Sequence, residues 1–213
     1  MNKVITIDGP AASGKSSVAR RVAKALDLAY VNSGAMYRAV AWAVLEAGVD
    51  PADADAALAC FRNLDWQCQL TEGQLQQRVN GLDPAPYLEM PAVNSAVSKV
   101  ARVPEIRAAL VDAQRRCAET GPLVMEGRDI GTVVFPESGY KFYIDASEEV
   151  RAQRRLAQGI TDPIGERDRM DSTRKTAPLT AAADAEILDT SELSLEQVVA
   201  EVLERLRRKG FGN

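Results

Sequence analysis

Gly9, Gly14, Lys15 and Ser16 stand at the spacing Gly-x4-Gly-Lys-Ser, inside the run Gly9-Pro10-Ala11-Ala12-Ser13-Gly14-Lys15-Ser16-Ser17. Each type has a physical reason to be there. Glycines let a backbone curl until consecutive N–H groups point at phosphate oxygens. A helix starting near Lys15 adds the positive end of its dipole. The Lys15 ammonium reaches β- and γ-phosphates, and the Ser16 hydroxyl suits Mg²⁺. The chemistry implied is the handling of ATP with Mg²⁺. The bland alternative is a tight Gly/Ser turn with a surface lysine. The flanks speak against it, because an apolar run, Val4–Asp8, precedes the loop and an Ala/Val-rich amphipathic stretch follows.

Such a loop does not name the phosphate acceptor. Two other places carry suitable groups. Asn32-Ser33-Gly34-Ala35-Met36-Tyr37-Arg38 lies where a second strand turns into a helix. Ser33 and Arg38 there could hold a phosphate, one by hydrogen bond and one by charge, although an arginine on a helix face is often only solvated. Glu126-Gly127-Arg128-Asp129 ends a core-type strand. Ligands of open α/β sheets bind beyond the carboxyl ends of strands. Arg128 suits a phosphate and Asp129 a base amine, with a local ion pair as the structural alternative.

The remaining composition excludes much. The chain of 213 residues has no histidine, which removes Ser-His hydrolases, His-ligated metals and His general bases. A net charge of −4 does not suit a nucleic-acid-binding face. Cys60, Cys68 and Cys117 are odd in number and widely spaced, so buried free thiols are expected rather than disulfides or zinc. No apolar stretch approaches membrane-spanning length, and Val4–Ile7 is too short for a signal peptide. A cytoplasmic protein is expected. A GTPase would carry Asn-Lys-x-Asp, which is absent, and Asp162-Pro163-Ile164-Gly165 follows a polar segment rather than a strand.

The elements that must position these groups read as an α/β core. Strands are expected at 4–8, 30–32, 123–125, 141–144 and 187–188, with helices at 16–26, 33–47, 53–61, 92–101, 104–117 and 195–207. Residues 66–70 and 75–79 alternate polar and apolar around Thr71-Glu72-Gly73, the pattern of an antiparallel hairpin. Pro84 and Pro86 make 82–88 an edge or loop. Ser147 caps a further helix, whose Arg151, Arg154 and Arg155 suit a solvated face at least as well as function. Polar residues 159–177 read as a loop or lid. A core of 1–64 and 111–213, with a lid at 156–177, is thus interrupted by a small α+β insertion at 65–110.

Three segments then become specific together. Asn32–Arg38, Gly127-Arg128-Asp129-Ile130-Gly131-Thr132-Val133-Val134-Phe135-Pro136, and Arg167-Asp168-Arg169-Met170-Asp171-Ser172-Thr173-Arg174-Lys175-Thr176-Ala177-Pro178-Leu179 resemble the bacterial cytidylate kinases. With the phosphate loop they follow that family's order from end to end, and the insertion matches its monophosphate-binding lobe. The resemblance implies a P-loop kinase with a parallel sheet flanked by helices, acting on ATP and CMP or dCMP with Mg²⁺. It implies that Ser33, Arg38, Arg128 and Arg174 hold the CMP phosphate. Ser98, Arg107 and Asp129 match the positions that read cytosine, and Asp171 the one that contacts the sugar. Lys15, Arg128 and Arg174 match the groups that neutralise the transferring phosphate, and Arg167 and Arg169 fall in the lid that closes positive charge over it, one of the two, with Arg167 preferred, pointing inward. Two departures stand out. Asn32 replaces a frequent aspartate, keeping size but not charge, and the segment between Arg155 and Arg167 is short for the family's lid. A kinase for a small hydroxyl metabolite and a non-catalytic nucleotide sensor are the competing readings. No membrane or nucleic-acid partner is expected, and nothing demands more than a monomer.

Overall fold

The computed structural model describes residues 3–157 and 179–212. The chain divides into two compact units, 1–31 with 121–213, and 32–120.

The first unit is built on strands β1 (Val4–Asp8), β2 (Ala29–Asn32), β5 (Leu123–Gly127), β6 (Tyr140–Asp145) and β7 (Glu186–Asp189). Their order across the sheet is β2-β5-β1-β6-β7. β1 pairs in parallel with both β5 and β6, and β6 in parallel with β7. Every residue of β1 and β5 is buried, as expected of parallel strands covered on both faces. Helices α1 (Lys15–Ala25) and α7 (Leu195–Arg208) pack against each other. Val18, Ala19, Val22 and Ala23 of α1 meet Val198, Val202 and Leu206 of α7 in one core with Ile5, Ile7, Val124, Phe142, Ile144 and Leu188. α7 starts in a capping box, Ser194 with Gln197. This is the α/β architecture expected of the sequence.

The second unit centres on α2 (Ser33–Glu46), whose buried residues run round most of its circumference, Met36 to Val44. Such a helix belongs inside a domain. α3 (Ala54–Arg62), α4 (Pro91–Val100) and α5 (Pro104–Cys117) pack around it. The expected hairpin is present as β3 (Trp66–Thr71) and β4 (Gln74–Val79), with Thr71 opposite Gln74. Glu72 and Gly73 both take positive φ, the two-residue turn that suits strand twist. Residues 82–88 form a bridge from Leu82 to Val79 and a short 3₁₀ turn, Ala85–Tyr87, with Tyr87 stacked on Trp42 at 4.7 Å. The unit is wider than segment 65–110, because α2 is the helix on which the hairpin and α4 pack.

Candidate functional site

The glycine-rich loop joins β1 to α1, as its flanks required. Gly9 is fixed by space: a Cβ there would lie 2.0 Å from the Ile144 carbonyl oxygen. Gly14 sits at φ 91° as the N-cap of α1, a left-handed backbone that favours glycine. The Lys15 ammonium donates to the Pro10 carbonyl at 3.0 Å, which holds it over the loop. The Ser13 hydroxyl is buried and lacks a partner among the described residues. Ser16 is half-buried in the first turn of α1, and Ser17 is exposed.

Arg128, one residue past β5, donates to the Gly9 carbonyl at 2.5 Å. Asp129 beside it is buried. These two and the loop stand together because β1 and β5 are parallel neighbours, with Asp8 opposite Gly127.

Asp8 was not singled out by the sequence. It ends β1 and is fully buried, and its Oδ1 and Oδ2 accept from the N–H groups of Ile130 and Gly131 at 2.9 and 2.8 Å. It thereby fixes the short π-helical turn Ile130–Val134 that follows Arg128-Asp129. Burial pushes its carboxyl up to about 7, helped by the Asp129 charge, while the two backbone N–H groups and Lys15 pull the other way. The available signal was its place, an acid directly preceding a glycine loop.

Two arginines of α6 (Glu148–Ala157) are not on a solvated face. Arg151 donates to the Ala11 carbonyl at 3.2 Å, and Arg154 to the Ser13 carbonyl at 3.1 Å and the Thr190 carbonyl at 2.9 Å. Three residues apart on a helix, they share a face, and that face is turned to the loop. Arg155 is buried.

In the second unit, Asn32 caps α2 by accepting from the Ala35 N–H at 3.1 Å. Ser33 is buried. Arg38 is largely buried, pairs with Glu89 at 3.2 Å, and has a buried Nε without a partner among the described residues. Ser98 and Arg107 are buried on α4 and α5. Arg107 donates to the Ala101 carbonyl at 3.2 Å and lies 5.6 Å from the Tyr37 ring centroid. The expected site residues Arg167, Asp171 and Arg174, and most of the expected lid at 156–177, lie outside the described residues. Of the three thiols, only Cys117 is buried; Cys60 and Cys68 are half-buried, because both sit on surface elements.

Among the described residues no helix is long and apolar enough to cross a membrane, and no three His, Cys, Asp or Glu residues cluster as metal ligands. The sequence profile of the family described as Cytidylate kinase matches residues 5–208. A cytidylate kinase of Pelotomaculum thermopropionicum is 45% identical over 215 residues, covering 95% of each chain. One of Thermus thermophilus is 45% identical over 212 residues, covering 98% of this chain and 100% of that one. Among solved structures, a gluconokinase of Sinorhizobium meliloti superposes with a TM-score of 0.52 at 18% identity, over 98% of this chain and 93% of that one. That likeness reports the fold alone.

Proposed function

The chain belongs to the cytidylate kinase family, and on that premise we propose that it transfers the γ-phosphate of ATP directly, in line, to CMP or dCMP. The products are ADP and CDP or dCDP. The observation that carries this reading is the Arg128–Gly9 hydrogen bond. An arginine suited to the acceptor phosphate is anchored on the loop suited to the donor phosphates, so both charges are met in one place. The acceptor is a phosphate oxygen, already anionic near neutral pH. Positioning and charge neutralisation then supply most of the catalysis, and a chain without histidine lacks nothing it needs.

The loop amides and Lys15 bind the triphosphate, while Arg128, Arg167 and Arg174 neutralise the phosphoryl group in transit. Ser33 and Arg38 join Arg128 and Arg174 on the CMP phosphate. The Arg38 Nε, buried and without a partner among the described residues, supports that role, since a dry donor favours an anion. Asp129 accepts from the cytosine amine, Ser98 and Arg107 donate to its ring nitrogen and carbonyl, and Asp171 takes the sugar. Uracil would turn a carbonyl towards Asp129, and buried polar groups left unpaired reject such analogues strongly.

Mg²⁺ takes most of its ligands from water and phosphate oxygens, so a single hydroxyl, Ser16, in a cradle closed to side chains at Gly9 fits it. Ser16 would hold the ion, which when bound neutralises charge between the β- and γ-phosphates. Segment 65–110 serves as the monophosphate-binding lobe, and the protein works as a cytoplasmic monomer without nucleic-acid partners.

A coupled ADP-release assay across CMP, dCMP, UMP, AMP, gluconate and shikimate tests the assignment. CMP and dCMP are expected to turn over, with UMP reduced roughly 100-fold in kcat/KM. Preference for UMP, AMP or a hydroxyl acceptor, or binding without turnover, would overturn it. Lys15→Ala should lower kcat roughly 100-fold or more.

A further inference from the structure

Cys68 and Cys117 form a pair for which phosphate transfer has no use. Cys68 lies in the middle of β3 on the same face as Trp66 and Leu70, all three half-buried while Gln67 and Gln69 are exposed. That alternation turns Cys68 inward. Cys117 closes α5 on its buried face, with Leu110, Ala113 and Gln114. α5 packs on β3, and the two side chains are neighbours there, close enough for each to shift the other's ionisation. Cys117 in turn donates to the Ala113 carbonyl at 3.4 Å. Both are free thiols. No third ligand-type side chain among the described residues joins them into a metal site.

We propose that Cys68 and Cys117 are a modification site, which an oxidant of the peroxide class converts into an intramolecular disulfide stapling the β3–β4 hairpin to α5.

The chemistry of the pair supports the step. Cys68, aided by the Arg116 charge, holds the Cys117 thiol below its ordinary value against the effect of burial, and Cys117, followed by burial, pushes Cys68 up. With Cys117 as the attacking thiolate, the half-exposed Cys68 gives a small oxidant its way in, and the same disulfide forms with the two roles exchanged. One hydrogen peroxide serves one pair. The Cys117 thiolate attacks a peroxide oxygen, the O–O bond breaks, and the hydroxide released takes the proton lost by Cys117 and leaves as water. The Cys68 sulfur then attacks the resulting Cys117 sulfenic acid. The S–O bond breaks, the S–S bond forms, and the second hydroxide leaves as water with the Cys68 proton. Two electrons pass from the sulfurs to the peroxide. A reducing compartment keeps the pair as thiols, so the bond records exposure to oxidant.

The test uses the full chain, reduced, freed of reductant, treated with a small excess of hydrogen peroxide, then denatured and alkylated. The expected result is a mass loss of about 2 Da before alkylation, with two thiols consumed. One alkylation should remain, at Cys60, and a proteolytic fragment should link the peptides of Cys68 and Cys117. Dithiothreitol should restore all three thiols. The oxidised form should unfold roughly 5 °C or more above the reduced form, because the bond closes a loop of about 50 residues. Cys60→Ser should keep the link. Three alkylatable thiols after treatment, a link through Cys60, or a sulfinic acid at Cys117 with no link would each overturn the proposal. Mapping the link in the unmodified chain requires no variant to fold.

Discussion

At the residue scale, Asp8 is set between two demands. The ionised carboxylate is the form that accepts from both Ile130 and Gly131, yet burial raises its value from 3.8 to about 7. In the unfolded chain it ionises near 3.8, and in the folded chain only near 7. Its contribution to stability is therefore full below about 4 and is lost as the pH rises through about 7. In the limit the loss is roughly 4 kcal/mol. Denaturant unfolding of wild type and Asp8→Asn at pH 4 and pH 8 checks the sign: wild type should lose stability relative to the variant as the pH rises. Activity should run the other way. Wild-type kcat/KM for CMP is expected to rise through about pH 7, whereas Asp8→Asn, with one amide donor facing an N–H, should be lower by roughly tenfold and lack that limb. A variant with a wild-type pH profile would remove Asp8 from the positioning of Arg128 and Asp129.

At the element scale, α6 supports the phosphate loop. Arg151 and Arg154 occupy two carbonyls of that loop, Ala11 and Ser13. Hydrogen bonds from charged donors contribute about 1.5–3 kcal/mol. Arg154→Ala should therefore raise the KM for ATP by roughly tenfold while leaving the KM for CMP near wild type, and steady-state kinetics in each substrate separates the two. Equal effects on both would show that the loop is not what Arg154 supports. At the other end of the unit, Ser194 and Gln197 close a capping box on α7. Ser194→Ala should cost about 1 kcal/mol in urea unfolding, with turnover unchanged. Asn32 caps α2 in a similar way, its side-chain oxygen accepting from the Ala35 N–H.

At the scale of the whole molecule, the central strands of the first unit and the hairpin of the second differ in burial. β1 and β5 are buried at every residue, whereas β3 and β4 mostly alternate between half-buried and exposed, with only Val79 at the end of β4 buried. Hydrogen exchange should find the amides of β1 and β5 slowest and those of the hairpin much faster; equal protection would contradict that ranking. The chain's local signals made most of this legible. The strand–glycine loop–helix unit, the hairpin with its Glu72-Gly73 turn, and the proline-started α4 and α5 all follow from near neighbours in sequence, because turns, caps and periodicity are short-range properties. The sequence by itself determined that the chain handles phosphate, which residue types are available to do so, and that no histidine takes part. Only the tertiary structure decided that Arg128 rests on Gly9, that Asp8 ties down the turn after Asp129, and that Arg151 and Arg154 face the loop rather than solvent. Each of those contacts joins residues more than a hundred positions apart. Burial and strand order bring them together, and neither is written in the local pattern around any one of them.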